Sequence, residues 1–138
     1  MIEIKDVVEK VILVAVSLED IKDTNEALDE LEELVKTAGA VTVARMVQNR
    51  DTINNGTYLG KGKIEELRTE ILMYEATGIV CDDELSPIQL KNLEDMLDTK
   101  VMDRTMVILD IFAGRASTKE GKIQVELAQL KYRSSRLI

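Results

Sequence analysis

Histidine and tryptophan are absent from the 138-residue chain, and cysteine, proline and phenylalanine occur once each. Without histidine the chain lacks the commonest zinc ligand and the commonest general base near neutral pH. A single cysteine, Cys81, excludes an intrachain disulfide. Long apolar runs are missing too: the longest is Val11–Val16, far below what a membrane-spanning helix needs. No basic leader with a small-residue cleavage site stands before it, so a cytoplasmic protein is expected. In that compartment the sequon Asn55-Gly56-Thr57 is a turn, not a glycan acceptor.

What is present describes a folded domain. Hydrophobic residues make up 45% and charged residues 32% of a chain whose length suits one domain with little left over. The net charge of −8 is uneven: residues 1–59 carry −6, residues 60–110 carry −6, and residues 111–138 carry +4. Any contact with RNA is therefore expected to begin at the carboxy-terminal end, at Lys119, Lys122, Lys131, Arg133 and Arg136, because Lys and Arg drive phosphate binding. A basic stretch of this size also fits a solvated helix face. Neither DNA nor a membrane is expected as a partner.

Taken in order, Val11–Val16 has no polar alternation and is mostly β-branched, the pattern of a strand buried on both faces. Asp23 and Glu26 predict a helix start, Leu28, Leu31, Leu34 and Val35 its buried face, and Gly39 its end. Residues 41–48 form a second strand, and Thr42 and Arg45 within it predict an edge position. A polar loop over 49–57 precedes a helix from Gly62, which Gly78 is expected to end, and Ile79-Val80-Cys81 is a third strand. Ser86, Pro87 and Gln89 mark the next helix by N-cap, first-turn proline and capping box. Val101–Asp103 gives a fourth strand, followed by a helix apolar on nearly every side, Met106 to Ala113, which is expected to be buried. Ser117 and Glu120 predict a capping box for a last helix, where Ile123, Leu127 and Leu130, widened by Val125, Ala128 and Tyr132, form an apolar stripe.

The alternation predicts an α/β fold: a four-stranded parallel sheet, order 2-1-3-4, flanked by helices and followed by the first arm of a helical hairpin. The expected division is 1–116 for the α/β domain and 117–138 for a hairpin whose second arm is missing, so the chain reads as a fragment. The unpartnered stripe is expected to be exposed or taken up by a second copy.

A ligand crevice in such a sheet lies beyond the strand carboxyl ends, where strands one and three diverge. Glu19, Asp20, Asp82, Asp83 and Glu84 arrive there, a set that would repel bare phosphate but could hold Mg²⁺ through oxygen ligands. The same acids also suit the start of a helix, where the dipole favours negative charge. No metal site is assigned from them. Tyr58, Gly60, Gly62, Asp82 and Asp83 are the candidate crevice residues. Gly60-Lys61-Gly62-Lys63 lacks the spacing of a phosphate loop, and Glu65 stands where a dinucleotide fingerprint needs its third glycine. A tight helix start is the expected role. Cys81, on a buried strand followed by acids, is expected to be an inert core residue.

Several strings carry a family resemblance over about residues 10–137. They are Gln48-Asn49-Arg50-Asp51, Thr57-Tyr58-Leu59-Gly60-Lys61-Gly62-Lys63, Asp82-Asp83-Glu84-Leu85-Ser86-Pro87, Asp103-Arg104-Thr105 with Ile108–Ala113 and Arg115-Ala116, and Gln124–Leu130 with Tyr132 and Arg136-Leu137. In this order they closely resemble the amino-terminal domain of the HflX GTPases, which are ribosome-associated. The resemblance implies docking on large-subunit ribosomal RNA, the splitting or rescue of stalled ribosomes, and GTP and Mg²⁺ chemistry in a separate downstream domain. This chain has no segment like that GTP-binding loop, so no catalysis and no cofactor are expected in it. Family members are also described as binding adenine nucleotides through this region, with no residue here to assign. A receiver-like signalling domain is the competing expectation, with Asp82 or Asp83 as phosphoacceptor in an acidic Mg²⁺-binding crevice.

Overall fold

The computed structural model describes residues 8–18, 20–115 and 119–134. The elements run β1 (Lys10–Ser17), α1 (Ile21–Thr37), β2 (Val41–Asn49), α2 (Lys61–Met73), β3 (Gly78–Cys81), α3 (Pro87–Leu97), β4 (Lys100–Asp103), α4 (Arg104–Arg115) and α5 (Lys119–Ser134). The four strands form one parallel sheet in the order β2-β1-β3-β4, as the alternation predicts.

The absence of polar alternation in β1 has a direct consequence: both faces of the strand are covered. Ile12, Val14 and Val16 point into one core with Ile64 and Leu67 of α2 and Leu93 and Leu97 of α3. Val11, Leu13 and Ala15 point into the other with Leu28, Leu31 and Val35 of α1 and Val107 of α4. The more polar β2 lies at the sheet edge, with a register shift opposite Val11/Ile12.

Three local expectations need correction. The N-cap of α1 is Asp20, not Asp23: its extended backbone lets its side chain accept from Lys22 N at 2.9 Å, which leaves Asp23 inside the first turn. Gly78 does not end α2. Glu75 supplies the left-handed residue (φ 53°), and Gly78 opens β3, where a Cβ would lie 3.0 Å from the Lys100 carbonyl oxygen. Gly39 does close α1 with φ 97°, and the Ser86/Gln89 capping box of α3 is formed.

The third concerns α4, which is not buried all round. Val107 is buried, but Phe112 is 56% exposed. One side of α4 packs on α1 and β4 and another meets α5, while Asp110, Phe112 and Gly114 are exposed. The last helix runs back along α4. Near its end the Tyr132 hydroxyl donates to Asp103, and one turn earlier Gln129 Nε2 donates to Asp110 Oδ1 at 2.7 Å. This docking splits the apolar stripe. Gly121, Val125, Gln129 and Tyr132 are half-buried, whereas Ile123, Leu127 and Leu130 are 47%, 52% and 60% exposed. The Ser117 capping box lies outside the described residues.

Candidate functional site

The crevice at the carboxyl end of the sheet is built by the loop between β2 and α2. The Asn54 side chain starts it by accepting from Gly56 N (2.8 Å) and Thr57 N (3.0 Å), a turn that asparagine makes readily. From α3, Gln89 Nε2 and Asn92 Nδ2 donate to the carbonyls of Asn54 and Gly56, both at 2.8 Å. So anchored, the loop holds Tyr58 in a left-handed conformation (φ 66°) and sends its ring into the core. There the hydroxyl accepts from Val16 N at 3.2 Å and donates to Asp83 Oδ2 at 2.7 Å. Burial, then Cys81 and Asp83, push the Tyr58 pKa far above its ordinary value, so it remains a neutral donor.

The other acids are equally engaged. Asp82 Oδ1 accepts from Arg104 Nη2 (2.5 Å) and Nε (3.1 Å), and Arg104 also reaches the Ala27 carbonyl (2.9 Å) and Glu30 (3.1 Å). Asp103, buried, accepts from Leu85 N and Met106 N, each at 3.0 Å, and from the Tyr132 hydroxyl. It thereby caps α4 and ties α5 to the sheet. Cys81 is fully buried, and burial, then Asp103, Asp83 and Asp82, push its thiol well above the usual range. The inert core cysteine read from the sequence is what the surroundings produce.

Gly60 is the N-cap of α2 and donates its N–H to Gln48 Oε1 at 2.7 Å. A Cβ there would run into the Arg50 guanidinium and lie 2.9 Å from Gln48 Nε2. Gly62 faces open space and has no such constraint. Tyr58 and Asp83 therefore meet, with Asp82 beside them and Gly60 on the neighbouring wall, while Gly62 stands apart.

Chemically the crevice is occupied by its own protein. Among the described residues no three of His, Cys, Asp and Glu are grouped to hold a metal ion; Asp20 caps α1, and Glu19 lies outside the described residues. A receiver-like reading is not supported by the same geometry: among the described residues the sheet has four strands, Asp82 is bound to Arg104, and Asp83 accepts from a neutral phenol. Asp103 stands outside the candidate crevice residues read from the sequence, although an aspartate just before a helical run is an N-cap signal.

Of the cations expected to meet RNA, Lys122, Lys131 and Arg133 are exposed on α5. Lys119 opens that helix but its side chain, like Arg136, lies outside the described residues. Helical spacing puts Lys122 and Arg133 on one flank and Lys131 on the opposite one, so they form no single basic face. Arg133 also lowers the pKa of Glu94, which burial and Asp95 raise.

Comparison with known proteins fits these observations. The family described as GTP-binding GTPase N-terminal matches residues 25–113, and GTP-binding GTPase Middle Region matches residues 115–138. GTPase HflX of Lacrimispora saccharolytica is 70% identical over 138 residues, all of this chain and 33% of that protein. GTPase HflX of Escherichia coli is 40% identical over 96% of this chain and 31% of its own length. The chain thus spans about a third of the curated relatives it matches. Among solved structures, SsGBP in complex with GDP aligns with a TM-score of 0.71 at 25% identity, over 92% of this chain and 36% of that one. A GTP-binding protein from Sulfolobus solfataricus in complex with GDP aligns at 0.67 and 25%, over 92% and 38%. A parallel sheet in this order, closed at its carboxyl end by its own side chains, is the form taken here by the family these matches share: the chain belongs to the HflX GTPases, as their amino-terminal region.

Proposed function

We propose that the chain is the ribosome- and RNA-binding module of a cytoplasmic HflX-like GTP-binding protein, one that associates with the large ribosomal subunit and splits or rescues stalled ribosomes. In this reading GTP and Mg²⁺ are handled by a domain further along, and residues 1–138 contribute docking without catalysis. The α/β unit spans 1–116, and 117–138 begins a helical hairpin; the two family matches, meeting at residues 113 and 115, support that division. The observation that carries the reading is the closed crevice: its acids are already bonded to Arg104, Tyr58, Tyr132 and backbone N–H groups, which leaves the surfaces as the working parts. The ribosome as partner is what the resemblance to the HflX GTPases implies.

Docking runs through the cationic end of the chain, at Lys119, Lys122, Lys131, Arg133 and Arg136. Co-sedimentation with purified large subunits across a salt series tests this. The expected result is weak binding that falls with salt, each phosphate contact contributing about 0.7–0.9 to the log–log slope. Charge reversal at the five positions should flatten the slope. Binding indifferent to both salt and charge would exclude this surface. The exposed side of α5 also offers a route to self-association, which light scattering over a concentration series would reveal.

A further inference from the structure

One cavity of the molecule is not in the crevice. It lies beside the sheet edge, about 440 Å³, between Arg45, Met46 and Val47 of β2 and Lys63, Glu66 and Glu70 of α2. Three successive residues of one strand can line a cavity together only where the cavity runs along the strand's edge, because neighbouring side chains point to opposite faces. The backbone orientation agrees. Arg50 N donates to Ser17 O at 3.0 Å, so Arg50, Gln48, Met46 and Ala44 turn their backbone groups towards β1. Arg45 and Val47 then turn theirs outwards, into the cavity. No described strand pairs with that side of β2.

An unmet polar group sits in the same place. Glu70 Oε2 is buried and without a hydrogen-bond partner. Thr42 Oγ1 is the other such side-chain atom among the described residues, and it is on β2 itself. A buried carboxylate oxygen without a donor is costly, which makes it a strong acceptor for an incoming cation. The cations that line the cavity are already paired: Arg45 is bound to Asp29 (2.8 Å) and Glu32 (3.1 Å), and Lys63 to Glu66 (3.0 Å), which leaves the Glu70 oxygen as the lining group that calls for a cation.

We propose that the outer edge of β2 is a docking site for an extended basic polypeptide, which adds a fifth strand to the sheet and places a lysine or arginine side chain against Glu70. Backbone N–H and C=O groups of the ligand pair with those of Arg45 and Val47, which gives affinity without reading sequence, and the cavity selects for a long cationic side chain. The site is independent of the cationic helix assigned to RNA, and its unpartnered group, Glu70, has the opposite charge.

The test uses the whole chain and a fluorescein-labelled heptapeptide of alternating lysine and valine, followed by anisotropy and amide NMR. Binding should shift the amides of Arg45, Val47 and Asn49 and leave those of Ala44 and Met46 protected. Glu70→Gln should weaken the complex about tenfold, the scale of one charged hydrogen bond. Val47→Pro removes an outward N–H, which an edge strand tolerates, and should abolish binding while β1 pairing persists. A backbone N-methylated peptide and an alternating glutamate–valine peptide should not bind. Equal binding by either of these, or insensitivity to Glu70→Gln in a folded variant, would overturn the proposal. So would shifts of the same amides on addition of oligouridylate, or on concentrating the protein alone, since RNA or a second copy would then be the occupant.

Discussion

At the carboxyl end of the sheet, polar groups that look available in the sequence are paired within the chain. Along the outer side of α4 and α5, apolar groups that look destined for a core are bare. Asp82, Asp83 and Asp103 each find a donor, from Arg104, Tyr58, Tyr132 or the backbone. Phe112, Ile123, Leu127 and Leu130, by contrast, are between 47% and 60% exposed. The difference teaches that residue type predicts what kind of partner a group needs but not whether the chain supplies it. The described residues supply it for the acids and leave the outer sides of α4 and α5 without it. The first region accordingly behaves as structure, and the second as a surface open to a partner.

Substitutions should separate the two regions by the size of their effect. The largest is expected at Arg104: Arg104→Ala leaves Asp82 partly buried beside other acids and should cost about 3 kcal/mol in urea unfolding, the low end for a broken buried pair because both side chains keep some solvent. Tyr58→Phe strips the donor from Asp83 and the acceptor from Val16 N, and should cost about 2 kcal/mol by the same measurement. Next comes alkaline pH. Above the unfolded thiol pKa of about 8.5 the unfolded chain has lost the Cys81 proton while the folded chain keeps it, so stability falls as pH rises, by about 1.4 kcal/mol per unit for this group. Cys81→Ala should remove that part of the slope. Smallest are the changes on the open side: Phe112→Ser and Leu127→Ser should each shift stability by no more than about 0.5 kcal/mol. A Leu127→Ser variant that loses as much as Tyr58→Phe would erase the contrast.

Much of this architecture is legible in the residues. The β-branched run Val11–Val16 needs cover on both faces, Arg45 and Thr42 mark β2 as an edge, and Ser86-Pro87 with Gln89 place α3. What sequence spacing cannot supply is pairing across long separations. The Arg104–Asp82 bond joins residues 22 apart, and Tyr58–Asp83 joins residues 25 apart, so the acidic set reads as an open crevice until the fold closes it. The same holds for α4, whose all-round apolar pattern states a demand for cover that the described residues meet on only part of its surface. The stripe on α5 was readable as apolar, but its splitting follows from Tyr132 bonding to Asp103, a contact spanning 29 residues. Helical spacing already separates Lys131 from Lys122 and Arg133, so the loss of a single basic face was available from the sequence alone.

Thiol accessibility brings both regions into one experiment. Leu127→Cys in a Cys81→Ala background is compared with the native chain in its reaction with a maleimide at neutral pH. An exposed α5 and a sealed sheet end predict that the new thiol reacts at the rate of a free cysteine. Cys81 should react only through unfolding, more than about a thousandfold more slowly. Comparable rates at the two positions, or protection at position 127 in the isolated chain, would contradict the account.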